Sequence, residues 1–423
     1  MMRARRPATT LLFSLIVALA VPSVATASVP SESPADTFQV NGPRVRSIAV
    51  VGDNVWVAGQ FTQVQNGSGT NVQGVTNLAV FDRLTGQPSA TATPLSLGGV
   101  SAAQVWKLAT VGTTVYAAGK FKLSSGGTTY TNLLAFDGID GSLVASFKPR
   151  NVPVAQSVGA GGGLVYAGGK KLVAFDAATG TAASGFVPST ITTDPSFRPG
   201  HNTPPQFREL KLIDGFLYAA CQCDSLTQSG QPRPVKALVR FDPVTGTHDE
   251  AFRPEGLGFV EGDAGVAATG IAVATDGTDL YLGAGGSDFV ARYSPDTAYD
   301  LNGSPRFGAQ VWKRDTSGST QAVTVSGDDV IIGGHFVEIA DAIGDSCGFK
   351  SSSPSTLDPN DECVTRNRLA AYSTDGVLQS WNPSVTGKYN GVWAMALDGT
   401  SLHIGGEFTK VHGVPQTHYA RLD

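Results

Sequence analysis

One short pattern returns seven times along this chain of 423 residues, and nothing else in the sequence restricts the fold so tightly. It reads Leu78-Ala79-Val80-Phe81-Asp82, Leu134-Ala135-Phe136-Asp137, Val173-Ala174-Phe175-Asp176, Val239-Arg240-Phe241-Asp242, Val290-Ala291-Arg292-Tyr293-Ser294, Leu369-Ala370-Ala371-Tyr372-Ser373 and Ala420-Arg421-Leu422-Asp423. Most copies run into a turn such as Thr85-Gly86, Asp140-Gly141, Thr179-Gly180 or Thr245-Gly246. An Asp or Ser side chain can bond backbone two residues on, and Gly tolerates positive φ, so the pattern reads as strand followed by tight turn. Self-similarity of this kind is the mark of a repeat architecture.

Two further strands precede each copy. One is apolar and small, as in Val45-Arg46-Ser47-Ile48-Ala49-Val50, Val105-Trp106-Lys107-Leu108 and Val392-Trp393-Ala394-Met395. The next carries Gly near its end: Val55-Trp56-Val57-Ala58-Gly59-Gln60-Phe61, Val115-Tyr116-Ala117-Ala118-Gly119-Lys120-Phe121, Val330-Ile331-Ile332-Gly333-Gly334-His335-Phe336 and Leu402-His403-Ile404-Gly405-Gly406-Glu407-Phe408. Gly inside a strand marks a place where backbone approaches closely. After the Asp turn, Phe147-Lys148-Pro149, Phe186-Val187-Pro188, Phe252-Arg253-Pro254 and Trp381-Asn382-Pro383 suggest a fourth strand at a sheet edge, where Pro is tolerated. With 51 Gly and 24 Pro, the chain suits many short strands and tight turns.

Four strands per repeat describe the blade of a β-propeller. The expected fold is therefore all-β, a single propeller of seven four-stranded blades over residues 36–423. The seventh copy ends at Asp423 without an outer strand, whereas Phe38-Gln39-Val40-Asn41-Gly42-Pro43 looks like an outer strand without a blade. The N-terminal strand is thus expected to complete the last blade and close the ring.

These repeats resemble those of bacterial exported propellers built from delta-sixty-type repeats, most clearly in Ile404-Gly405-Gly406-Glu407-Phe408-Thr409-Lys410-Val411-His412-Gly413 and Ala420-Arg421-Leu422-Asp423. The resemblance covers essentially the whole mature chain and implies the fold without a transferable catalytic motif. A weaker resemblance, through Leu172-Val173-Ala174-Phe175-Asp176-Ala177-Ala178-Thr179-Gly180, is to the repeats of quinoprotein dehydrogenases. The Trp usual after that Gly is replaced by Gly185-Phe186, and Cys221 and Cys223 are separated rather than adjacent, which argues against a quinone.

Residues 1–27 combine Arg3, Arg5 and Arg6, an apolar run from Leu11 to Val21, and Ala25-Thr26-Ala27, which is the pattern of a cleaved secretory signal. Residues 28–35 read as a flexible lead-in. A secreted, monomeric protein without membrane insertion is expected. In that setting four cysteines can form two disulfides. Cys347 with Cys363 would staple one polar insertion, and Cys221 with Cys223 would form a small ring or remain as thiols. A net charge of −5 and the lack of a Lys/Arg cluster argue against nucleic acid.

The connections from second to third strand, and from blade to blade, emerge on one face of the ring. They are long at 62–75 and 190–206 and longest at 337–366, so that uneven face is the expected binding surface. At its rim the residue after the strand Gly is Gln60, Lys120, His335 or Glu407, and these four are the candidate ligand-binding residues. No catalytic residue or cofactor is assigned, since no nucleophile elbow or metal-type His spacing occurs. Asp341, Asp345 and the stretch 358–362 offer oxygens that calcium would accept, although without a regular loop. The expected function is non-catalytic binding of a protein or an extracellular glycan. The alternatives are a polysaccharide hydrolase or lyase acting at the propeller mouth, and a structural part of an extracellular assembly.

Overall fold

A computed structural model describes residues 29–70, 72–193, 204–257, 268–296, 307–342, 347 and 363–423. The expected signal segment lies outside the described residues, as do Asp345 and 358–362. The described residues form strands joined by turns, and none of them belongs to a helix long and apolar enough to cross a membrane.

Each repeat folds as an antiparallel meander. In the first, Arg44–Val51 pairs with Asn54–Gln60, which pairs with Leu78–Asp82. In the second, Gln104–Val111, Thr114–Ser125 and Thr128–Asp137 do the same. The first strands of the remaining repeats are Ser157–Gly161, Gln206–Ile213, Thr269–Thr275, Thr320–Ser326 and Val385–Asp398. These seven strands pack side by side in chain order, and Val385–Asp398 in turn lies against Arg44–Val51.

The recurring Asp holds the turn as its chemistry predicts. Asp82 Oδ1 accepts from the Thr85 N–H at 2.8 Å and from the Thr85 hydroxyl at 2.8 Å; Asp176 and Asp242 repeat the arrangement with Thr179 and Thr245. These bonds favour the ionised carboxyl, so all three acids are held below the usual Asp range.

The first three repeats are each fastened to the next by a buried aromatic at one fixed strand position. Trp56 Nε1 donates to Gly138 O at 3.0 Å, the Tyr116 hydroxyl to Ala177 O at 3.1 Å and the Tyr166 hydroxyl to Pro243 O at 2.9 Å. Each acceptor lies in the Asp turn of the following repeat, so one side chain fills the core and satisfies a neighbour's carbonyl. In the last repeat His403 takes this position, and Arg421 reaches the first repeat instead, donating to Arg83 O and Leu84 O at 2.8 and 2.7 Å. Tyr419 of the last repeat stacks on Phe81 of the first with ring centroids 4.9 Å apart.

The outer segments differ from expectation. Instead of a fourth strand, the first, second, fourth and sixth repeats show a single bridge, as between Phe136 and Leu143; the third adds to its Phe175–Ala182 bridge the short strand Ser189–Thr192, which pairs with Lys171 and Leu172. The Phe-x-Pro segments leave the sheet: Lys148 N donates to Thr179 O, and Val187 N to Thr245 O, in the next repeat. Phe147, Phe186, Phe252 and Trp381 are buried as plugs between repeats. Only in the fifth repeat, among the described residues, does a full fourth strand form, at Ala309–Asp315.

The N-terminal segment follows the same plan with one displacement. Pro34 bridges Leu422 and Ala35 N donates to Arg421 O at 2.8 Å, matching Leu143 on Phe136 and Val144 on Ala135. Three residues on, Phe38 is buried as Phe147 is, and its N–H donates to Gly86 O of the first repeat. The ladder of Gln39–Asn41 is made with Gln63–Gln65 rather than with the last repeat. Residues expected to be a flexible lead-in also make contacts: Pro30 O accepts from Trp381 Nε1 at 2.7 Å, and Ser31 N donates to Asp423 O at 2.6 Å.

Candidate ligand-binding mouth

The seven first strands begin at one end of the molecule, where a cavity of about 450 Å³ opens between them. Its wall is made by a repeated irregularity. Val45 pairs with Gly59 and Ser47 with Ala58, so Arg46 is skipped by the ladder. The same skip releases Trp106, Arg208, Ile271, Gln321 and Trp393 in five other repeats. A bulge re-aims its extra side chain, and all six of these residues line the cavity. The third repeat has no skip, and contributes Gln156 from just before its first strand.

The strand Gly is the counterpart of the bulge. A Cβ at Gly59 would lie 2.2 Å from Arg44 O, and one at Gly119 would lie 2.2 Å from Gln104 O. The bulged strand passes too close for any side chain at these two positions. The repeated Gly was therefore a visible signal for the lining residue, but it pointed across the ladder rather than to the residue beside it.

Arg44, Gln104, Gln206 and Lys107 complete most of the wall, with Pro204 from the excursion between the third and fourth repeats. Its cations have partners: Arg44 Nη1 is 3.0 Å from Glu407 Oε1, Lys107 Nζ donates to Glu209 Oε2 at 2.5 Å from one repeat to a non-adjacent one, and Arg208 Nη2 donates to Gln222 Oε1 at 3.1 Å. Arg46 lies over the indole of Trp393, 4.5 Å from its centroid. Burial, and then the nearby guanidinium groups of Arg44 and Arg208, push Arg46 down to about 9, with Glu407 opposing. Arg46 remains a cation at neutral pH in a basic neighbourhood. Trp106 and Trp393 add flat apolar area, and four glutamines supply amides that both donate and accept.

None of the four residues expected at the rim is part of this lining; each lies beside a residue that is. Gln60 is paired across the ladder with Arg44, and Lys120 with Gln104. The His335 Nδ1 is 3.1 Å from Gln321 Nε2, and its Nε2 accepts from Ser319 N at 3.3 Å. Burial and the charge of Arg368 push His335 down to about 4, so it is neutral and its Nε2 serves as the acceptor for Ser319 N. Glu407 is buried in its ion pair with Arg44. No group of three metal-type side chains occurs among the described residues.

Two of the connections from second to third strand form hairpins: Ser225–Gln228 with Gln231–Pro234, and Glu338–Ala340 with Cys363–Thr365. Cys347 and Cys363 are at disulfide distance, with Cα atoms 5.9 Å apart, and so are Cys221 and Cys223, at 5.5 Å. Disulfides persist in oxidising compartments.

No protein-family model matches the sequence, and no curated protein does. Among solved structures, the chain is similar to BamB from Moraxella catarrhalis, at 11% identity over 92% of this chain and 99% of that one, with a TM-score of 0.48. It is also similar to the β-propeller domain of Myceliophteria thermophila Cps50 (Swd1), at 10% identity over 92% and 98% of the two chains and a TM-score of 0.49. The WD40 propeller domain of Doa1 is similar at 9% identity over 91% and 97%, with a TM-score of 0.42. All three lie below a TM-score of 0.5, and nothing about ligand or partner passes from them to this chain.

Proposed function

We propose that this chain is an exported seven-bladed propeller, closed by its N-terminal segment, that binds a ligand or partner at the mouth of the ring without transforming it. The cyclic order of the first strands, and the contacts of Pro34, Arg421 and Tyr419 between the two ends of the chain, support the ring. The two cysteine pairs and the signal-type N-terminus support export.

One observation carries the binding assignment: six bulges deliver six variable side chains to one cavity that is otherwise framed by a repetitive scaffold. Loops and irregularities set on a rigid frame are where recognition concentrates. Hydrolysis of a glycosidic bond ordinarily needs two carboxyl groups about 5 to 9 Å apart. The described lining holds Arg, Lys, Gln, Trp, Ile and Pro and no carboxyl group, which favours binding over a glycosidase.

The test is a glycan array together with pull-down from culture supernatant, using the wild-type protein and an Arg46→Glu/Arg208→Glu variant of equal thermal stability. Binding by the wild type that disappears in the variant supports the mouth. Binding that survives in the variant places the surface elsewhere, and turnover of a bound glycan would replace the binding assignment by an enzymatic one.

A further inference from the structure

We propose that the mouth recognises a carboxylated sugar, a hexuronic-acid unit of an extracellular glycan; this rests on the mouth being the binding site. The cavity's size falls in the range of small-ligand pockets, about 300 to 1,000 Å³, and its volume of about 450 Å³ admits a sugar unit rather than a folded protein segment.

The charges select an anion. Glu209 and Glu407 occupy Lys107 and Arg44. Arg46 is held against Trp393 by stacking, and its buried Nε has no hydrogen-bond partner among the described residues. Arg208, whose Nη2 donates to the neutral Gln222 amide at 3.1 Å, lines the same cavity as Arg46, so two guanidinium charges face one space and an anion between them relieves their repulsion. A planar guanidinium fork matches a carboxylate with two parallel bonds.

The rest of the wall selects a sugar over a bare ion. A phosphate or sulfate ion has no use for a flat apolar surface, whereas a pyranose presents C–H faces and hydroxyls together. Trp106 and Trp393 offer the apolar surface, and the amides of Gln104 and Gln321 can accept from and donate to hydroxyls. The Gln104 Oε1 is a buried acceptor without a partner among the described residues.

The chain has five tryptophans, of which Trp56, Trp312 and Trp381 are buried in the repeats, so a change in fluorescence on binding reports Trp106 and Trp393. The experiment titrates the mature protein with a hexuronic-acid trimer, the neutral hexose trimer of the same linkage, and inorganic phosphate, followed by fluorescence and calorimetry. The uronate trimer is expected to bind, the neutral trimer at least about tenfold more weakly, and phosphate without the fluorescence change. Arg46→Gln should weaken the uronate by about tenfold or more at unchanged melting temperature. Arg208→Gln provides the same test if the first variant fails to fold. Equal binding of the two trimers, displacement of the uronate by phosphate at similar affinity, or no binding of either trimer overturns the assignment. If the array and pull-down find a mouth ligand that is not a uronate, the ligand class falls and the mouth stands; if mouth variants change no interaction at all, both fall.

Discussion

The guanidinium of Arg46 lies over the indole of Trp393, 4.5 Å from its centroid. Arg46 comes from the first strand of the first repeat and Trp393 from that of the last, so a single contact joins the two ends of the repeat array and forms part of the cavity wall. The contact between the two ends and the cavity wall are therefore coupled: a disturbance of the seam between the ends should reach the cavity.

Removal of residues 28–43 tests the seam. It deletes Phe38 and Val40, both buried, the bridge of Pro34 to Leu422, and the acceptor for Trp381 Nε1. The strand Tyr419–Leu422 would then present a free edge, an aggregation hazard. The truncated protein should melt at a markedly lower temperature and lose solubility. An unchanged melting curve would mean that the N-terminal segment does not complete the last repeat.

The aromatic fasteners give a graded prediction. Tyr166→Phe keeps the ring in the core and removes only the hydroxyl that satisfies Pro243 O, so chemical denaturation should show a loss of about 1 kcal/mol. Gly119→Ala pushes a methyl against the Gln104 carbonyl, and overpacking of this kind costs about 1 to 3 kcal/mol. If Gly119→Ala were neutral, the close passage of the bulged strand would be refuted.

Buried histidines set the response to acid. His403 is wholly buried with its Nδ1 2.9 Å from the Tyr419 hydroxyl, and burial pushes it down to about 4. The unfolded chain takes up a proton at the ordinary His value of about 6.5 and the folded one does not. Stability that is complete above that value should therefore fall as pH drops from about 6.5 towards 4, by about 3 kcal/mol for His403 at the lower limit. Urea unfolding of wild type and His403→Gln across this range checks it. Parallel pH profiles would show that His403 is not the group that titrates.

The arrangement of the cysteines predicts that peptide mapping without reductant recovers Cys347 joined to Cys363 and Cys221 joined to Cys223. Free thiols at either pair would contradict the structure at that point.

The Asp turns and the Gly-ended strands were legible in the sequence because their causes are local: Asp82 bonds backbone within three residues, and Gly86 takes φ near 66°. The alternation of His403 with apolar neighbours in its strand is local in the same way, and His403 is wholly buried. The lining of the mouth was not. Gln60 and Glu407 follow the strand Gly and looked like rim residues, but the skip at Arg46 or Trp393 exists only when two strands pair, and a one-residue bulge leaves no trace in the spacing of either strand. The outer strands were misread for a related reason. Phe147-Lys148-Pro149 has an edge-strand composition, yet Lys148 N is satisfied by Thr179 O in the next repeat, a partner that no local pattern reveals.

The measurement that bears most directly on the mouth is amide hydrogen exchange on the mature protein, with and without the species recovered by array or pull-down. Slower exchange is expected on binding in peptides covering residues 44–47, 104–107, 206–209 and 392–394, where the bulges lie, and no change at 51–54 and 111–114, at the far ends of the same strands. Protection at the far ends, with none at the bulges, would contradict a binding site at the mouth.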